Sequence, residues 1–196
     1  MTHAPARPAP IVFVLFGANG DLTARLVFPA LYNLAAQKLL PDSFAVVAVT
    51  REEYGEKAMR DHLRESLGKY CMEKCDRTVV EDLVARVTVA VADARDQKSF
   101  EALGAHLADV DLKHGTKGNR IFYLAIPPAG FAPTVRALGA AGLTGRNNGA
   151  IARVIVEKPF GADLASAMKL NAELREVLDE DQIFRIDHYL GKETVQ

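Results

Sequence analysis

The 196-residue sequence has no tryptophan, two cysteines and no surplus of either charge. Its 24 Lys and Arg against 25 Asp and Glu leave a formal net charge of -1, without the basic footprint of a nucleic-acid surface. Long apolar runs are lacking too. Ile11–Phe16 is cut at once by Gly17, well short of the roughly 18 residues that suggest a membrane span. The leader Met1–Pro10 is rich in Ala and Pro. With neither a charged n-region nor an apolar h-region, it reads as a disordered tail and not as a signal peptide. Cys71 and Cys75 have no second pair and no His cluster beside them, which argues against a zinc site and for reduced thiols in a cytoplasmic protein.

What is present is an ordinary globular composition, 49% hydrophobic and 25% charged, in a chain long enough for one good core. Short β-rich apolar runs recur at Ile11–Phe16, Phe44–Thr50, Val87–Ala92, Arg120–Ile126 and Arg153–Glu157, with a weaker one at Gln182–Ile186. Between them, apolar positions return every three or four residues in Leu22–Lys38, Glu56–Tyr70, Ser99–Ala108, Phe131–Ala141 and Asp163–Leu178. This alternation predicts β-α-β units. Right-handed crossovers make the leading architecture a Rossmann-like, doubly wound, mainly parallel six-stranded sheet with helices on both faces. Lys113–Asn119 and Gly142–Gly149 read as loops. The expected organisation is a leader over 1–10, a dinucleotide-binding domain over 11–190 and the start of a further helix over 191–196.

The first strand runs straight into Gly17-Ala18-Asn19-Gly20-Asp21-Leu22 and then a long amphipathic helix. Gly17 permits a tight turn and Gly20 lets the backbone approach a pyrophosphate. The helix N-terminus beyond offers unpaired N–H groups and a favourable dipole. The spacing is G-x-x-G and not the full G-x-G-x-x-G, so its position between strand and helix carries part of the weight. The second strand ends at Thr50-Arg51, where such folds read the adenosine ribose. An Arg there suits a 2′-phosphate through its planar fork of donors and favours NADP. Glu52 and Glu53 beside it could accept a ribose hydroxyl, and use of NAD stays open.

Five segments together resemble the glucose-6-phosphate dehydrogenase family. They are Gly17–Leu22 with Phe28–Leu34, then Tyr123–Pro128, then Val156–Gly161 with Asp163, Leu164, Ser166 and Ala167, and finally Arg185–Glu193. The resemblance implies an enzyme of the pentose phosphate pathway that oxidises D-glucose 6-phosphate to 6-phospho-D-glucono-1,5-lactone with NADP. It implies coenzyme contacts at Gly17, Gly20, Asp21, Leu22, Arg51, Pro128, Glu157 and Lys158. It further implies that Lys158, His188, Tyr189 and Lys192 hold the sugar phosphate, and that Asp187 orients a catalytic His. A Lys at a strand end can bind a sugar hydroxyl and hold a phosphorylated ligand by charge. No metal is implied, and full-length members are homo-oligomers.

The departures are as specific as the matches. Ala24 and Leu26 stand where the family usually has basic residues flanking the position of Arg25. The Leu26 position is commonly a Lys close to substrate, so its loss bears on substrate affinity. Ala48-Val49-Thr50-Arg51 lacks a Gly often found there. The general base of the family lies in a second, larger domain. None of His3, His62, His106 and His114 matches it, so the chain alone is expected to show negligible turnover. The other reading is a non-catalytic NADP(H)-binding module or regulatory partner.

Overall fold

The computed structural model of the chain describes residues 8–71, 75–145 and 149–187. Six strands form one sheet: β1 (Ile11–Phe16), β2 (Phe44–Thr50), β3 (Val87–Val91), β4 (Arg120–Leu124), β5 (Ala152–Glu157) and β6 (Ile183–Ile186). Their order is β3-β2-β1-β4-β5-β6, and every neighbouring pair is parallel. The chain therefore winds outward from β1 in one direction and from β4 in the other. That reversal places a crevice above the C-terminal ends of β1 and β4.

Alternation along each strand divides the core in two. Phe13, Leu15, Val46 and Ala48 face α1 (Phe28–Ala36), α2 (Glu56–Tyr70) and α3 (Arg77–Ala85), which contribute Phe28, Leu31, Met59, Leu63 and Leu83. Val12, Val14, Val47, Phe122 and Val154 face the other way. There α4 (Gln97–His114), α5 (Phe131–Ala140) and α6 (Leu164–Arg175) contribute Phe100, Leu103, Phe131, Leu138 and Leu174. All seven residues of β2 are buried, as expected of a parallel strand covered on both faces.

Several local details differ from expectation. The first helix opens as a π-helical turn over Thr23–Val27, whose carbonyl at Thr23 accepts from Phe28 N–H. Pro29 lacks an N–H and its ring crowds the carbonyl four residues back, which favours widening of the preceding turn. Helix α3 was not expected; Asp76 caps it by accepting from Thr78 N–H at 2.7 Å. At nine residues it is too short for its period to stand out. The expected loop at Lys113–Asn119 begins two residues late. Lys113 and His114 complete α4, and Gly115 ends it at φ 67°.

The expectation of two reduced thiols is overturned. Cys71 and Cys75 are joined in a disulfide with their Cα atoms 6.6 Å apart. Cys71 caps the end of α2 and Cys75 precedes the cap of α3, so the meeting of these helix ends brings the two within disulfide reach. The leader residues 1–7, the helix start expected near Gly191 and residues 146–148 of the expected Gly142–Gly149 loop lie outside the described residues.

Candidate functional site

The site is built where strands end. Gly17 leaves β1 at φ 73°, and a Cβ on it would run into the carbonyl oxygen of Ala125, just past β4. Only glycine allows that close approach at a positive φ. The turn is closed from within. Gly20 N–H donates to Gly17 O at 2.9 Å, Thr23 Oγ1 donates to the same oxygen at 2.9 Å, and Gly17 N–H donates to Val49 O at 3.2 Å. Helical backbone begins at Asp21, so the first-turn N–H groups have no partner of their own within the helix. Backbone N–H groups so placed can cradle an anion. Asp21 and Leu22 open the helix as expected, with Asp21 in an exposed ion pair 3.5 Å from Arg25.

Arg51 is exposed immediately after β2. Asp93, past the end of β3, lies within reach of its charge. The Asp93 carboxyl is lowered to about 2 by hydrogen bonds from the Arg95 side chain and backbone, with the Arg51 charge a smaller contribution. Arg95 holds Asp93 in a close pair at 2.5 Å, and Arg51 has no carboxylate partner among the described ion pairs.

Beyond the crevice floor stand the ends of β4, β5 and β6. Glu157, the last residue of β5, is buried, and its Oε1 accepts a short hydrogen bond from the Tyr123 hydroxyl. Burial, then the hydrogen bond and charge of Glu157, push the Tyr123 phenol well above its ordinary range. Lys158 follows, half-exposed, with its Nζ 2.7 Å from Asp187 Oδ2 just past β6. The Lys158–Pro159 peptide is cis. Pro128 opens a short 3-10 turn, Pro128–Gly130, on the exposed side of the β4 end.

The structure thus brings Gly17, Gly20, Asp21, Leu22, Arg51, Pro128, Glu157, Lys158 and Asp187 to one edge of the sheet. His188, Tyr189 and Lys192 lie outside the described residues. Two residues escaped the sequence. Tyr123 is set beside Glu157 by the parallel register of β4 on β5. His62 of α2 lines a cleft of about 330 Å³ with Asn19, Gly20 and Asp21, its buried Nε2 without a hydrogen-bond partner. Neither proximity has a local signal, since each joins residues more than 30 positions apart in sequence.

A family model described as the NAD binding domain of glucose-6-phosphate dehydrogenase matches residues 14–196. The glucose-6-phosphate 1-dehydrogenase of Chlamydia muridarum is 41% identical over 98% of this chain and 38% of its own length. The crystal structure of the Mycobacterium avium enzyme superposes with a TM-score of 0.79 at 38% identity, over 94% of this chain and 37% of that one. A glucose-6-phosphate dehydrogenase in complex with its substrate glucose-6-phosphate superposes with a TM-score of 0.83 at 30% identity, over 97% of this chain and 39% of that one. The chain spans under two fifths of the length of these relatives. It belongs to the glucose-6-phosphate dehydrogenase family, whose NAD binding domain it carries.

Proposed function

We propose that this chain is the coenzyme-binding part of a glucose-6-phosphate dehydrogenase and that NADP is its coenzyme. The observation that carries the reading is the convergence at the strand ends. The Gly17–Asp21 cradle, the Arg51 guanidinium and the Lys158–Asp187 pair share one crevice edge. The cradle would take the pyrophosphate on backbone N–H groups, and Arg51 would take the 2′-phosphate by bidentate hydrogen bonds. Bound NADP supplies the hydride acceptor.

On the sugar side, Lys158 would donate to a hydroxyl or phosphate oxygen of D-glucose 6-phosphate. Its Asp187 partner fixes where the ammonium sits, and His188, Tyr189 and Lys192 would hold the phosphate. Oxidation moves a hydride from C1 to the coenzyme and a proton from the C1 hydroxyl to a base, leaving 6-phospho-D-glucono-1,5-lactone. Near neutral pH that base is best supplied by a His. The described His62, His106 and His114 lie in α2 and α4, and the family resemblance implies a His of the second domain as the base. The family resemblance makes a homo-oligomer the expected assembly.

Calorimetric titration with NADP and NAD tests the coenzyme assignment, and NADPH absorbance tests turnover. The expected outcome is micromolar NADP binding, weaker NAD binding and no glucose 6-phosphate-dependent reduction by the chain alone. Rapid reduction by this chain would overturn the assignment of the base. Leu26, half-exposed on the π-helical turn beside the cradle, favours a second reading, a non-catalytic NADP(H)-binding module. That reading predicts no activity when the chain is joined to the remainder of a relative, whereas the first predicts activity.

A further inference from the structure

The sheet edge beyond β2 and β3 carries a second arginine. The β2–β3 ladder runs one bond past the strands, because Ala92 N–H donates to Thr50 O at 2.9 Å. With Thr50 opposite Val91 in the parallel register, Arg51 comes to lie beside Ala92, about 4.8 Å away across the ladder. Asp93, Ala94 and Arg95 then lie in the turn that leads into α4. Two arginines thus leave neighbouring strands at the same edge of the sheet.

The turn holds Arg95 in place. Asp93 O accepts from Asp96 N–H at 2.8 Å and Asp93 N–H donates to Ser99 Oγ at 3.0 Å, which ties the turn to the start of α4. The Asp93 carboxylate accepts from Arg95 N–H at 3.0 Å and from the side edge of its guanidinium, Nε at 3.0 Å and Nη2 at 2.5 Å. Lowered to about 2 by these bonds, that carboxyl stays ionised at neutral pH. A planar guanidinium has a second edge with donors of its own. Nη1 of Arg95 has no hydrogen-bond partner among the described residues, and the side chain is 84% exposed. An ion pair so exposed contributes little to folding stability, so stability alone does not account for the arrangement.

We infer that Arg95 is a second arginine for the 2′-phosphate of the coenzyme, closing on that group from the end of β3 while Arg51 closes on it from the end of β2, with Asp93 holding the Arg95 fork in place. A phosphate monoester offers three acceptor oxygens and about −1.5 to −2 charge at pH 7. One guanidinium spans two oxygens and neutralises one charge. The third oxygen and the remaining charge suit a second cation. Glu52 and Glu53 are also exposed after Arg51, but neither forms an ion pair with Arg51 or Arg95 among the described residues. NAD carries a neutral hydroxyl where NADP carries the phosphate, so the outer edge of Arg95 would add to the preference for NADP.

The inference rests on the proposed reading of NADP as coenzyme. The test titrates the chain with NADP, NAD and adenosine 2′,5′-bisphosphate by calorimetry, at low and high ionic strength. Arg95→Ala should weaken binding of NADP and of the bisphosphate about 5- to 20-fold and leave NAD within about 2-fold. Its melting temperature should stay within about 2 °C, because the ion pair it loses is exposed. Arg95→Lys should recover part of the affinity, since an ammonium keeps the charge and not the fork. Salt should weaken NADP binding less in Arg95→Ala than in the unsubstituted chain, because one charge fewer meets the phosphate. Equal losses for NADP and NAD, or unchanged NADP affinity in Arg95→Ala, would overturn the inference. A preference for NADP that Arg51→Ala removes and Arg95→Ala leaves intact would overturn it while sparing the proposed function. No preference for NADP in the unsubstituted chain would overturn both.

Discussion

In the proposed reading a single strand-end side chain, Arg51, selects NADP over NAD. Its place was legible because the sequence marks where β2 stops. Arg51→Ala should weaken NADP binding about 10- to 100-fold, the worth of a charge-assisted bidentate contact, and leave NAD binding nearly unchanged, as measured by calorimetry. Tyr123 was not legible, because nothing near it in sequence announces a buried carboxylate 34 positions on. Tyr123→Phe should cost about 1–2 kcal/mol in urea unfolding at neutral pH, the loss of a partly buried hydrogen bond. The pH dependence is specific. The phenol is raised above its ordinary 10.0 by burial and by Glu157, so above pH 10 the unfolded chain has released a proton that the folded protein keeps. The unfolded state binds fewer protons there, and stability falls as pH rises. Tyr123→Phe should flatten that fall in urea midpoints measured from pH 9 to 11.

Strands and helices emerged from periodicity where they were long or strongly patterned. β1, β2 and α2 appear with the bounds expected, and α4 is longer at both ends. The π-helical turn was not legible, since it depends on Pro29 meeting a helix already under way, and the disulfide depends on how two helix ends meet. Two glycines separate cradle from packing at this scale. Gly139 of α5 is in contact with the side chain of Val177, which a Cβ would displace. Gly139→Ala should lower stability by about 1–3 kcal/mol through overpacking, with NADP affinity retained. Gly17→Ala forces a side chain onto the Ala125 carbonyl at a positive φ and should abolish measurable NADP binding as well as lowering the melting temperature. If Gly17→Ala bound NADP normally, the cradle would have to lie elsewhere.

For the molecule as a whole, ligand binding and folding are coupled by mass action. At about 100 times its dissociation constant NADP should add about 2.7 kcal/mol of stability. For a domain of this size that is a rise of about 5–10 °C in melting temperature, to be read by differential scanning fluorimetry against NAD and glucose 6-phosphate as controls. No helix among the described residues is long and apolar enough to cross a membrane. The sequence by itself determined the α/β class, the glycine turn after β1, the strand-end position of Arg51 and the family, because each rests on local pattern or contiguous motif: periodicity, a glycine spacing, the Glu157-Lys158-Pro159 run. Only the tertiary structure decided that Tyr123 meets Glu157, that Lys158 pairs with Asp187 and that Cys71 meets Cys75. Those facts depend on strand order, register and the relative placement of helices, which no local sequence period encodes.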